Sequence, residues 1–139
     1  MTPKKFPNIV PEFLSYVLYE TQSSRESTEE PSTPNQLLLA EELVTELKSS
    51  GLRDAHIGKG GVVYGTLPAT PGCEDCPGLG LIAHMDTSPD APAVNIKPQI
   101  LVYEGKDVLL NPEKGIYFKE EAFPEIKKYL NQEIIFTDG

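Results

Sequence analysis

The residues of this chain best equipped for chemistry are His84 and Asp86, which close the run Leu79-Gly-Leu-Ile-Ala-His-Met-Asp-Thr-Ser-Pro-Asp90. Side chains alternate along a strand with period two, so His84 and Asp86 are expected on one side and Met85 on the other. In that arrangement a histidine can give one ring nitrogen to a metal ion and hand its other N–H to a carboxylate, which fixes tautomer and ring orientation. The plainer reading is a locally hydrogen-bonded turn without a metal, because zinc sites take three or four protein ligands and this spacing supplies one.

The elements that must position this pair can be read coarsely. Leu79 to Ala83 has the form of a short, wholly apolar strand covered on both faces. That places His84 at the strand's carboxyl end, where open α/β sheets bind their ligands. From Asn8 to about Thr21, apolar residues fall at Ile9, Val10, Phe13, Leu14, Val17 and Leu18, a helical stripe with Asn8 as N-cap and Pro11 in the first turn. A polar loop with Pro31 and Pro34 follows. Thr33 is then expected to cap a second helix that starts at Pro34, buries Leu37, Leu38, Ala40, Leu43, Val44 and Leu47, and ends at Gly51. Both helices are expected to be core elements.

After Gly51 the pattern turns strand-like. Ala55 to Ile57 and Val62 to Leu67 flank Gly58-Lys-Gly-Gly61, a hairpin signal. That loop has neither the G-x-x-x-x-G-K-[ST] pattern nor a following helix, so it is not a phosphate cradle. Thr87 to Gln99 reads as a rim loop, and Ile100 to Tyr103 and Val108 to Leu110 as short strands around Glu104-Gly105. A third helix is expected from Pro124 to about Leu130, and a last strand from Glu133 to Phe136. There is no internal repeat, and the mixture implies an α/β layer.

Composition narrows the function classes. The 139 residues, 39% of them hydrophobic, suffice for one ordinary domain with a core. A net charge of −9 speaks against a nucleic-acid partner, since phosphate binding wants Lys and Arg. The run Glu26-Ser-Thr-Glu-Glu30 and the mixed Lys119-Glu-Glu121 read as solvated surface. No stretch approaches the roughly eighteen apolar residues of a membrane span, and Pro7, Pro11 and Glu12 interrupt the N-terminal candidate, so a cytoplasmic protein with no membrane partner is expected. Cys73 and Cys76 are too few for a disulfide framework and lack the second pair of a zinc knuckle. Pro71-Gly72 and Pro77-Gly78 bracket them in a turn, unlike a thioredoxin-type motif opening a helix. They read as ordinary loop thiols, with a reversible Cys73–Cys76 disulfide left open.

Several separated segments, in order, carry a family resemblance. They are Phe13-Leu-Ser-Tyr-Val-Leu-Tyr-Glu-Thr-Gln-Ser23, Pro31-Ser-Thr-Pro-Asn-Gln36, Ile82-Ala-His-Met-Asp-Thr-Ser-Pro-Asp90, Asn95-Ile-Lys-Pro-Gln-Ile100, Phe123-Pro124 and Ile134-Ile-Phe-Thr-Asp-Gly139. Through them nearly the whole chain resembles the peptidase T family, the tripeptide aminopeptidases among the M20 two-zinc metallopeptidases. The resemblance implies the N-terminal part of a three-layer α/β/α zinc-peptidase catalytic domain spanning 1–139, with a central mixed sheet flanked by helices. A second, smaller domain for dimerisation and closure over substrate is expected outside this sequence.

The resemblance also implies the chemistry. His84 would be a zinc ligand, and Asp86 a catalytic residue that orients His84 and raises its basicity. Thr87, Ser88, Pro89 and Asp90 would shape the rim without a chemical role. The metal-bridging aspartate, a glutamate pair that includes the general base, a further aspartate and a distant histidine are all expected beyond Gly139. The whole enzyme is thus expected to release the N-terminal residue from tripeptides as a zinc-dependent homodimer, and this chain alone to be inactive. Cobalt or manganese would also suit such N/O sites. The alternatives are another M20-type hydrolase, a dipeptidase or an amidohydrolase, against which Thr-Ser-Pro-Asp argues, and a non-catalytic module that keeps the fold without the chemistry.

Overall fold

The computed structural model describes residues 9–138, so the expected cap Asn8 and the terminal Gly139 lie outside the described residues. Helices and strands are both present, which makes the chain a mixed α/β protein. It divides into two compact units, one holding residues up to Leu18 together with Val94 onward, the other Tyr19–Ala93. Among the described residues the strands form three separate two-stranded antiparallel ladders, and no central mixed sheet joins them.

The Tyr19–Ala93 unit is built on helix α2, Gln36–Ser49, which packs on the hairpin of β1, Arg53–Ile57, and β2, Val63–Thr66. The helix buries Gln36, Leu39 and Ala40, while Leu38 is exposed. This corrects the expected face by one residue. At about 100° per residue, Leu39 stands over Leu43 and Ala40 over Val44, and Leu38 falls outside that stripe. Thr33 does not cap the helix with its side chain; Asn35 occupies the cap position without a side-chain bond. The helix stops as expected, with Gly51 at φ +85° just past Ser50 and its N–H on the Lys48 carbonyl. In the hairpin, the Gly58 N–H donates to the Val62 carbonyl at 2.7 Å. Gly65 admits the helix closely, since a Cβ there would lie 3.2 Å from a Leu47 methyl and 3.1 Å from one of Leu52.

The expected strand Leu79–Ala83 does not form. The segment is extended and irregular, with Leu79 87%, Leu81 90% and Ile82 100% exposed. The cause is physical: a strand buried on both faces exists only with neighbours along both edges and layers above and below. Among the described residues this run joins none of the three ladders.

In the other unit α1, Ile9–Tyr16, is shorter than its stripe suggests and buries none of its residues. It ends where the Leu18 N–H turns back to the Ser15 carbonyl, a tightened last turn. The expectation that both helices are core elements therefore holds for α2 and fails for α1, which has no buried residue. β3, Gln99–Val102, pairs with β6, Glu133–Phe136, and β4, Val108–Asn111, pairs with β5, Ile116–Phe118. The two strands flanking Glu104-Gly105 thus pair elsewhere and not with each other. β5 was not expected at all; it returns through the Asn111-to-Gly115 turn, where the Asn111 side chain accepts the Lys114 N–H and Gly115 takes φ +64°. The expected third helix is a 3₁₀ segment, Pro124–Tyr129.

Tyr103, Ile126 and Phe136 form the core of this unit, with Val108, Leu110, Phe118 and Ile134 against them. Phe118 meets Phe136 edge-on at 5.5 Å and stacks on Phe123 at 4.8 Å, geometries favoured by ring quadrupoles. Tyr103 is only 1% exposed, and its hydroxyl donates to Glu120, which Lys127 also reaches at 3.2 Å. Burial first, then the hydrogen bond to Glu120, pushes the Tyr103 phenol up to about 12. The hydrogen bonds from Tyr103 and Lys127 hold the Glu120 carboxyl below its ordinary value.

These shifts fix a pH window. A lowered carboxyl stabilises the fold above its unfolded value, and that contribution is lost as pH falls through the folded value. The raised phenol stabilises below its unfolded value, and that contribution is lost as pH rises towards about 12. Tyr103→Phe is expected to return the Glu120 titration towards the ordinary carboxylate range and to flatten the acid limb of stability. Side-chain NMR titration of Glu120 checks this; an unmoved Glu120 value in the variant contradicts it.

Candidate functional site

His84 and Asp86 meet, although no strand carries them. The His84 Nδ1 lies 2.8 Å from the Asp86 backbone carbonyl and 3.2 Å from its Oδ1. Both partners are acceptors when the carboxylate is ionised, so Nδ1 is the donor, and in the neutral ring Nε2 carries the lone pair. The histidine side chain is 84% exposed, and Nε2 has no protein partner among the described residues. That is the donor state a metal requires, and a single ligand of it. No cluster of three or more His, Cys, Asp or Glu side chains able to hold a metal occurs among the described residues.

The chain just beyond the pair is tied down. Thr87 forms a parallel bridge with the segment after α1: its N–H donates to the Thr21 carbonyl at 3.1 Å, and its carbonyl accepts the Ser23 N–H at 2.9 Å. The Ser23 hydroxyl donates to the same Thr87 carbonyl, and the Gln22 amide donates to the Ala91 carbonyl at 2.8 Å. Arg25 reaches both oxygens of Asp90 at 2.8 and 3.0 Å, and the Ser88 hydroxyl donates to Asp90 as well.

A second layer of polar contacts supports the first. The Thr33 hydroxyl donates to the Gln22 carbonyl at 2.8 Å and accepts from the Gln36 amide at 3.0 Å. Gln36 also reaches the Ser32 hydroxyl, which accepts the Ser24 N–H. Gln36 and Thr21 are buried. Buried polar groups persist when each has its partners, and these do. A cleft of about 470 Å³ opens over this network, lined by Gln22, Ser23, Ser24, Arg25, Thr33 and Asp90 among others; His84 and Asp86 do not line it.

Three segments distant in sequence, Thr21–Ser23, Ser32–Gln36 and Thr87–Ala91, therefore converge behind the His-x-Asp pair. All three segments are marked in the sequence, where Thr33 is expected only to cap α2 and Gln22 and Gln36 have no assigned task. One signal was available: Gln36 lies three and four residues before Leu39 and Ala40, on the buried stripe of α2, and a polar side chain there needs hydrogen-bond partners.

No family model matches the chain. Curated proteins named peptidase T do. One from Clostridium novyi (strain NT) is 44% identical over 132 residues, 94% of this chain and 32% of that protein. One from Desulfitobacterium hafniense (strain Y51) is 47% identical over 133 residues, 95% of this chain and 32% of that protein. One from Halothermothrix orenii is 46% identical over 132 residues with the same share of its own length. The chain spans about a third of the length of the curated relatives it matches.

The two layers should differ in energetic weight. Arg25 and Asp90 are 73% and 68% exposed, so Arg25→Ala is expected to cost under about 1 kcal/mol. Gln36→Ala removes a buried amide from the half-buried Ser32 and Thr33 hydroxyls and is expected to cost about 1–3 kcal/mol. Denaturant midpoints of the two variants measure the difference, and an Arg25 variant the weaker of the two would invert this assignment.

Proposed function

From a chain homologous over nearly all its residues to peptidase T proteins, we propose the N-terminal portion of the catalytic domain of a metal-dependent tripeptide aminopeptidase of the M20 type. The observation that carries the proposal is the proton placement at His84: Nδ1 is held by Asp86, and Nε2 is exposed and free to coordinate. The donor set fits one zinc ligand; among the described residues no cluster supplies the others, which would come from the part of the relatives' length that this chain does not span.

His84 would hold the metal through Nε2. Asp86 would keep the ring in one tautomer and orientation and strengthen its donation. Gln22, Ser23 and Thr33 would hold the Thr87 backbone, and with it the exit of the His-x-Asp turn, in place. When bound, a two-zinc centre polarises the scissile carbonyl and lowers the pKa of water into the neutral range. In the longer protein, neighbouring strands would cover the apolar run Leu79–Ala83 and complete the sheet that sets His84 at its carboxyl edge. A peptide substrate and a cytoplasmic setting accord with this reading; no described helix is long and apolar enough to cross a membrane.

The test is expression of this sequence within a reading frame that continues past Gly139, with zinc-dependent release of the N-terminal residue from a tripeptide as the assay. His84→Ala is expected to abolish activity, and Asp86→Ala to lower it by about 10–100-fold. Equal activity of the His84 variant sinks the metal-ligand role. Preference for dipeptides or for non-peptide amides favours another M20-type hydrolase, and a frame that stops at Gly139 with no activity favours a non-catalytic module. The 139-residue chain alone is expected to bind zinc weakly through His84, seen as NMR shifts of that ring; a tight two-zinc titration by calorimetry contradicts this.

A further inference from the structure

Cys73 and Cys76 take no part in the proposed peptidase chemistry, yet the structure prepares them for a reaction of their own. They are the only cysteines in the sequence, and both are exposed and free. The Cys76 N–H donates to the Cys73 carbonyl at 3.0 Å, a hydrogen-bonded β-turn. Such a turn brings its first and fourth Cα atoms within about 7 Å, and disulfides span about 4.4–6.8 Å. A second turn runs into the first, since the Cys73 N–H donates to the Thr70 carbonyl at 2.9 Å.

The side chain between the thiols reinforces that geometry. The Glu74 carboxylate accepts the Gly72 N–H at 3.1 Å, and Gly72 sits at φ +87°, a conformation that suits glycine. Pro71 and Pro77 bracket the pair and restrict φ at both flanks. The backbone that must close the ring is therefore already folded back before any sulfur reacts.

We propose that Cys73 and Cys76 form a preorganised dithiol site for thiol–disulfide exchange with low-molecular-weight disulfides of the oxidised-glutathione type. The thiolate of one cysteine attacks a sulfur of the small disulfide, forming a mixed disulfide and expelling one small thiolate. The second thiolate then attacks the protein sulfur of that mixed disulfide, forming the Cys73–Cys76 bond and expelling the other small thiolate. Two protein thiols are oxidised, and one small disulfide is reduced to two thiols. The site thereby rejects stable adducts that would otherwise remain eight residues before His84, counted from Cys76.

The 139-residue chain is equilibrated in glutathione buffers of graded oxidised-to-reduced ratio, quenched in acid, and read by intact mass. The expected product is lighter than the dithiol by the mass of two hydrogens, with no retained glutathione. Cys73→Ser and Cys76→Ser should each retain one glutathione under the same conditions. Because any C-x-x-C peptide can close, the equilibrium is repeated in denaturing urea; the folded chain should favour ring closure by about tenfold, equivalent to about 30 mV. A ratio equal in folded and unfolded chain, persistent mixed disulfides, or intermolecular dimers as the main product would each overturn the proposal.

Discussion

Two backbone hydrogen bonds, from Thr87 to Thr21 and from Ser23 to Thr87, hold the Tyr19–Ala93 unit together at its most consequential point. They join the loop after α1 to the chain just past the His-x-Asp pair, across a long separation in sequence. Closing such a loop costs entropy that a single bridge does not recover. The recovery comes from the side chains of Gln22, Ser23, Thr33 and Gln36, which add hydrogen bonds around the bridge and tie it to the first turn of α2. α2 in turn packs on the hairpin, with Leu47 close against Gly65, and buries Leu39 and Ala40. The order at the candidate site is thus traceable to an apolar helix face, transmitted through one buried glutamine.

Much of this was legible in the residues where the signal is local. The hairpin around Gly58–Gly61, the stop at Gly51, the strand Glu133–Phe136 and the β segments on both sides of Glu104-Gly105 all follow from glycine conformation and short apolar runs. The failures share a different cause. Leu79–Ala83 reads as a buried strand because its composition suits one, but burial is a property of neighbours, and among the described residues the run pairs with no strand. α1 fails as a core helix for the same reason. β5 carries no sequence signal because three residues are too short a run to show periodicity, and its pairing depends on the Asn111 turn. At the site, the contact between His84 and Asp86 was legible from spacing; the support from Gln22, Thr33 and Gln36 was not, since it arises from segments that meet only on folding.

The same contrast separates the two polar centres. Tyr103 is buried in the Phe136 core and its phenol is raised in consequence, while the half-buried Glu120 is lowered by its hydrogen bonds from Tyr103 and Lys127. His84 and Asp86 stand in water, where their mutual geometry places a proton without enclosing a charge. One centre is a structural use of ionisable groups, and the other keeps its donor accessible.

The double hold on His84 Nδ1 makes the histidine's state a local property. Both acceptors, one in the backbone and one in the side chain, come from the single residue Asp86. The ring can therefore adopt its ligand form within a three-residue turn, ahead of any sheet and independently of the order in which the rest assembles. Replacing the Asp86 carboxylate removes the negative charge and leaves the backbone carbonyl as the one acceptor that residue 86 offers to Nδ1. Chemistry that survives the change depended on orientation; chemistry that disappears depended on charge.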